Sequence, residues 1–100
     1  MKYALIGCGR IATNHVTAAV NNNMEIVAVC DIVPEKMEAI LKKHGLVDDK
    51  SIKRYTDYKK MIEENELELV SIATESGKHA SIALDVIDAG INVIIEKPMA

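Results

Sequence analysis

The run Tyr3-Ala4-Leu5-Ile6-Gly7-Cys8-Gly9-Arg10-Ile11-Ala12 decides how this chain is read. Four apolar residues in succession suit a strand buried on both faces, and Gly7 ends it. Gly7-Cys8-Gly9-Arg10-Ile11-Ala12 then matches the spacing G-x-G-x-x-G/A. Ala12, Val16, Ala19 and Val20 follow at i, i+4, i+7 and i+8, the stripe of an amphipathic helix, until Asn21-Asn22-Asn23 stops it. A glycine-rich hexapeptide is a weak signal alone and gains meaning between a strand and a helix. In that setting Gly7 permits the tight turn, Gly9 lets the backbone approach a pyrophosphate, and Ala12 lets helix and sheet pack closely. The helix start then offers N–H groups and a positive dipole end to phosphates. The bland alternative is a plain turn with no ligand.

The same alternation continues outward. Glu25–Cys30 is rich in β-branched residues and reads as a second strand. Pro34 suits the first turn of a second helix, whose buried stripe is Met37, Ile40, Leu41 and His44 and whose stop is Gly45. Residues 46–53 read as a loop, with a short strand near Arg54-Tyr55. Thr56 or Asp57 is suited to cap a third helix carrying Tyr58, Met61 and Ile62. Leu67–Ala73 reads as a fourth strand and Ser76 as the cap of a fourth helix with a stripe of Ala80, Ala83, Leu84 and Ile87. Gly90 ends that helix, and Ile91–Ile95 forms a fifth strand. Strands alternating with helices call for an α/β fold, a doubly wound parallel sheet of about five strands with helices on both faces. The fifth run is almost wholly apolar and would make a bare sheet edge, so the chain is expected to be the N-terminal part of something longer.

Composition narrows the function classes. Among 100 residues, 12 Lys and Arg stand against 15 Asp and Glu, for a net charge of −3. The pI near 5.6 and an aromatic set of only three tyrosines argue against a nucleic-acid partner. No apolar run approaches the roughly 20 residues that a membrane helix needs, and the start lacks the plan of a signal peptide. Cys8 and Cys30 make neither a disulfide scaffold nor a four-ligand metal site, and a cytoplasmic, reducing location is expected. His15, His44 and His79 are too scattered for a metal site, so no metal is expected.

Asp31 closes the second strand. A carboxylate there accepts hydrogen bonds from adenosine ribose hydroxyls and repels a 2′-phosphate, which favours NAD over NADP. Ile32 and Val33 follow, so no cation stands directly beside it, although Lys36 could reach in. The alternative is an Asp that merely caps the helix ahead of Pro34. Glu96-Lys97-Pro98 lies where the fifth strand ends, the side on which ligands bind in open α/β sheets. A lysine there could polarise or protonate an oxygen as hydride leaves the adjacent carbon, and its alternative is an ordinary loop lysine.

Gly7-Cys8-Gly9-Arg10-Ile11-Ala12, Asp31, Ser71-Ile72-Ala73-Thr74 and Glu96-Lys97-Pro98-Met99-Ala100 together resemble the Gfo/Idh/MocA oxidoreductases, relatives of glucose–fructose oxidoreductase and inositol dehydrogenase. The resemblance spans nearly the whole chain. It implies an N-terminal NAD(P)-binding Rossmann domain joined to a larger C-terminal α/β domain that binds the sugar or cyclitol and mediates homo-oligomerisation. By the same resemblance Lys97 is the active-site lysine, with Glu96 and Pro98 its neighbours. Thr74 ends the fourth strand beside the cofactor, and His79 lies in the next helix's first turn. Many members carry Pro after that threonine, whereas this chain has Glu75-Ser76-Gly77, so a cofactor contact by Glu75 is the open element.

Two other classes compete. A non-catalytic dinucleotide-binding or sensing module would keep the glycine loop and Asp31 but would have no need of Glu96-Lys97-Pro98. A thiol switch would use Cys8 and Cys30, close in space at neighbouring strand ends, to spoil the phosphate loop on oxidation; the alternative is two small buried residues.

Overall fold

The computed structural model describes residues 1–74 and 79–95, with His79 described by its backbone alone. Nine elements alternate along it: β1 (Lys2–Ile6), α1 (Ala12–Asn21), β2 (Glu25–Cys30), α2 (Pro34–Lys43), β3 (Lys53–Tyr55), α3 (Tyr58–Glu64), β4 (Leu69–Ile72), α4 (His79–Asp88) and β5 (Asn92–Ile95). All neighbouring strands pair in parallel, in the order β3-β2-β1-β4-β5. The chain therefore builds outward from β1 to β3 and then crosses back to lay β4 on the other flank of β1. Where the order reverses, loops leaving β1 and β4 diverge and a crevice opens above their carboxyl ends.

The two-sided burial expected of β1 is present. Tyr3 and Leu5 pack with Ala12, Val16 and Ala19 of α1 and Met37, Ile40 and Leu41 of α2. Ala4 and Ile6 face the opposite layer, with Met61 of α3 and Ile82, Ala83 and Val86 of α4. Three helices end alike. In α1 the Met24 N–H reaches Ala19 O at 2.9 Å, in α2 the Leu46 N–H reaches Leu41 O at 2.7 Å, and in α4 the Ile91 N–H reaches Val86 O at 3.2 Å. These are the six-to-one bonds of Schellman motifs, each with a left-handed residue (Asn23, Gly45, Gly90) before an apolar one that turns back to the core. Asp57 is the cap of α3, its side chain accepting from Lys59 N–H at 2.9 Å.

The structure corrects the expected pattern in several places. α4 does not bury Ala80, Leu84 and Ile87: Leu84 is 61% and Ile87 54% exposed, while Ile82, Ala83 and Val86 are buried. The helix is apolar nearly all round, so two stripes of equal period compete, and the β-branched pair Ile82 and Val86 takes the sheet. Val20 of α1 is likewise exposed, because Ala12, Val16 and Ala19 already cover the contact with β1. β4 starts at Leu69 and β5 at Asn92, later than their apolar runs, since Leu67 and Ile91 pack beside the sheet before pairing begins.

The two flanking strands differ. β3 is short and polar, and its Arg54 ties down the preceding loop: it donates to Ile52 O at 2.7 Å and Val47 O at 2.8 Å and pairs with Glu38 at 3.0 Å. β5 leaves Ile94 and Ile95 exposed, among the described residues, as a sheet edge. No helix among the described residues is long and apolar enough to cross a membrane, and no cluster of potential ligands among them could hold a metal ion.

Candidate functional site

The crevice at the strand-order reversal is a cleft of about 430 Å³ bordered by Gly7, Gly9, Asp31, Ile32, Lys36, Thr56, Tyr58, Thr74 and Ser81, among others. Its floor depends on Gly7. That residue has φ +92°, and a Cβ on it would lie 2.7 Å from Thr74 N and 2.8 Å from Ala73 C. Only a glycine lets the β1 end turn directly against the β4 end. The Gly7 N–H also bonds Cys30 O at 2.8 Å, joining the same turn to β2.

Gly9 serves differently. A Cβ there would meet nothing within 4 Å, and its φ is not positive, so neither strain nor packing within the described chain demands a glycine. What the missing side chain leaves is open space over the loop. Immediately after it α1 begins at Ala12 with no side-chain cap and no acidic residue in its first turn. The positive end of α1 thus follows directly on the glycine loop, with neither a side-chain cap nor an acidic residue competing for it.

Asp31 joins the loop to the end of β2. Its Oδ2 accepts from the Cys8 N–H at 2.8 Å and its Oδ1 from the Val33 N–H at 2.8 Å. The carboxylate is thereby aimed rather than freely rotating, and each oxygen keeps a lone pair for a further donor. It does not cap α2, whose N-cap is Val33. The helix-capping alternative therefore fails, and the carboxylate braces the glycine loop instead.

Of the expected site residues, Gly7, Gly9, Asp31 and Thr74 meet on this cleft. Ala12 is fully buried beneath it, and Ile11 is the N-cap of α1. The Cys8 side chain turns away into the core with α1 and α2, and Arg10 is exposed outside the lining. Glu75, Glu96, Lys97 and Pro98 lie outside the described residues, as does the side chain of His79.

Three observations argue against the thiol switch. Cys8 packs in the core layer of α1 and α2 and Cys30 in the opposite layer of α3 and α4, and what the Cys8 thiol meets is Cys30 O, to which it donates at 3.5 Å. Both are buried. Burial, reinforced by the neighbouring Asp31 charge, pushes both thiols up to about 12, which leaves almost no thiolate at neutral pH.

Sequence reasoning missed part of the lining. Ile32 is 78% exposed at the cleft mouth. An apolar residue directly after a strand-ending Asp was the available signal. Tyr58, read as part of a core stripe, lines the opposite wall and donates its hydroxyl to Asp85 of α4, which pushes the phenol up to about 12. The signal there was its place just beyond the end of β3, on the same side of the sheet as the glycine loop.

The residues present fit a dinucleotide: a glycine loop with open space, a helix start without a side-chain cap and an aimed carboxylate at the next strand end. A family profile described as an oxidoreductase family with NAD-binding Rossmann fold, Gfo/Idh/MocA, matches residues 1–100. This chain belongs to the Gfo/Idh/MocA family. The member is 33% identical to inositol 2-dehydrogenase of Salmonella typhimurium, over 100% of this chain and 29% of that protein. It is 38% identical to glycosyl hydrolase family 109 protein 1 of Bacteroides fragilis, over 76% of this chain and 17% of the other. Its fold matches the WlbA dehydrogenase of Bordetella pertussis, solved with NADH and UDP-GlcNAcA, with a TM-score of 0.82 and 33% identity, covering 99% of this chain and 29% of that one. The chain thus spans less than a third of each of these relatives. What it contains is the family's NAD-binding Rossmann domain.

Proposed function

We propose that this domain holds NAD for a dehydrogenase that moves a hydride between the nicotinamide and a secondary alcohol of a sugar, nucleotide sugar or cyclitol. One observation carries the reading: Asp31 is locked at 2.8 Å onto the glycine loop, beside the open space at Gly9 and the uncapped start of α1. In the loop from Gly7 to Ala12, the Gly9, Arg10 and Ile11 N–H groups would hold the pyrophosphate while those of Gly7, Cys8 and Ala12 brace the turn on Cys30 O, Asp31 and Gly9 O, and the remaining lone pairs of Asp31 would accept from the adenosine ribose hydroxyls. A carboxylate at that point disfavours a 2′-phosphate, which supports NAD ahead of NADP. When bound, the cofactor supplies the hydride-transfer chemistry. Lys97 would steady the reacting hydroxyl and hold its proton, flanked by Glu96 and Pro98. Thr74, Glu75 and His79 would border the cofactor. The relatives named for inositol and UDP-GlcNAcA support a polyhydroxylated substrate. A homo-oligomer is what the family resemblance implies for the longer protein, and a reducing, cytoplasmic setting is supported by two free buried thiols.

The relative named as a glycosyl hydrolase favours one second reading, cleavage of a glycosidic bond by a protein with the same dinucleotide-holding half. Product release without net change in nicotinamide absorbance would select it. Calorimetric titration with NAD tests the shared step. Saturable binding that Asp31→Asn weakens by about tenfold is expected, the worth of one charge-assisted hydrogen bond. No binding by a protein shown to be folded would overturn the reading.

A further inference from the structure

Asp85 is a carboxylate on a helix that has little use for one. It stands in α4 among Ala83, Leu84, Val86 and Ile87, half-buried at the border of the core that Ile82, Ala83 and Val86 make with the sheet. Its helical neighbours at three and four positions, Ser81, Ile82, Asp88 and Ala89, include no cation, and no ion pair reaches it among the described residues. What it accepts is the hydroxyl of Tyr58, the first residue of α3 and 27 positions away in sequence.

Packing alone gives no reason for this pair. A phenylalanine facing an alanine would cover similar surface with no polar group to satisfy, and a swap of both partners for apolar groups is commonly neutral or stabilising. A residue that breaks a local rule without a structural return points to use elsewhere. The use lies at the other side of the ring. Tyr58 lines the cleft with Thr56, Ser81 and Ile82, across from Ile32. The bond to the carboxylate pushes the phenol up to about 12, so Tyr58 remains a donor through the neutral range. A charge-assisted bond of this kind fixes the ring's two side-chain torsions.

We infer that Asp85 is a positioning residue for the adenine base: it holds the Tyr58 ring in place so that the base packs on a preset aromatic wall. The inference rests on the dinucleotide reading and names the residues that receive one end of the ligand. With Asp31 taking the adenosine ribose, the base attached to that ribose falls between Ile32 and the wall formed by Tyr58 and Ile82. Without Asp85 the ring is free to change rotamer, and ordering it at binding costs affinity. A flat aromatic ring held in one orientation suits a purine face or edge.

The test is calorimetric titration of the purified protein with NAD and with AMP, for the parent, Asp85→Ala, Asp85→Asn, Tyr58→Phe and the Asp85→Ala, Tyr58→Phe double variant. Thermal melts verify folding. Asp85→Ala should weaken NAD and AMP by the same factor, about fivefold, as for one side chain that must be immobilised at binding. Asp85→Asn keeps an acceptor oxygen and should restore most of the loss. The double variant should bind no worse than either single one, because both remove the same bond. The chain has three tyrosines and no tryptophan, so AMP should also change tyrosine emission in the Asp85→Asn protein and the parent, and less in Asp85→Ala. A folded Asp85→Ala protein that binds both ligands as the parent does overturns the inference, and so does an additive loss in the double variant. Should Asp85→Ala fail to fold, Tyr58→Phe carries the test, since it removes one hydroxyl and keeps the ring; unchanged affinity there overturns the inference equally. If the folded parent binds neither NAD nor AMP, the dinucleotide reading falls and this one with it.

Discussion

Replacing Gly7 by alanine would put a methyl carbon 2.7 Å from Thr74 N and 2.8 Å from Ala73 C. Ordinary contact between such atoms needs about 3.5 Å, so backbone must move by several tenths of an ångström. The atoms in the way belong to the end of β4, which the Ala73 N–H holds to Ile6 O at 2.8 Å, while the Gly7 N–H holds Cys30 O at 2.8 Å. Moving either segment weakens bonds worth about 1 kcal/mol each. The φ of +92° adds about 1–3 kcal/mol for any residue with a Cβ. Gly7→Ala is therefore expected to lose about 3–5 kcal/mol, a large share of the stability of a domain this size, and to lower the melting temperature by about 15 °C or more. Gly9→Ala is the matched control, since its new methyl meets nothing within 4 Å and its φ is not positive. It should melt within about 4 °C of the parent, or slightly above it, because alanine restricts the unfolded chain. Its NAD affinity should nevertheless fall by about tenfold or more, as the methyl occupies the space over the loop. Thermal melts and NAD titrations of both variants read the outcome. A Gly7→Ala protein as stable as the parent would refute the close-approach argument. A Gly9→Ala protein that binds NAD normally would refute the assignment of that open space to the ligand.

Arg54→Ala should destabilise by about 2 kcal/mol, because two carbonyls of the 46–52 loop lose a charged donor; urea melts measure it, and faster amide exchange confined to that loop should accompany it. Alkaline pH should unfold the protein through its thiols. Burial raises Cys8 and Cys30 from near 9 to about 12, so the unfolded chain releases protons that the fold retains. The resulting stability is full below pH 9 and is lost between 9 and 12, at about 1.4 kcal/mol per pH unit per thiol. Urea midpoints that stay constant up to about pH 11 would contradict this, and a Cys8→Ala, Cys30→Ala variant should flatten the slope. Asn23→Gly should gain about 0.5 kcal/mol by relieving the φ of 56° in the α1 stop, read from denaturant melts.

The elements that position the cleft were legible because each carries more than one agreeing signal. β1, Gly7 and α1 combine an unbroken apolar run, a glycine and a 3.6-residue stripe, and all three stand where they were expected. α4 was not legible in its facing, since Leu84 and Ile87 offer the same period as Ile82 and Val86. Choosing between them required knowing which face the sheet presents. The Asp31 end of the site was readable from spacing to the glycine loop. Its opposite wall was not, because Tyr58 and Ser81 reach the cleft only through the crossover that brings β4 beside β1. Cys8 and Cys30 are close, as strand order implied, with the Cys8 thiol on Cys30 O at 3.5 Å, but strand order does not say which core layer each side chain joins.

The returns Asn22-Asn23-Met24 and Ala89-Gly90-Ile91 have the same length and bonding, and they stand on either flank of the β1–β4 boundary, far from the cleft. Each hands the chain to the next strand at once, so the register of β2 and of β5 is set at the pole remote from the ligand. Loops at the ligand pole carry no such duty apart from Gly7. They are consequently free to lengthen, shorten or change chemistry while the scaffold beneath them keeps its alignment, and a single framework built this way can diversify in what it recognises without having to refold.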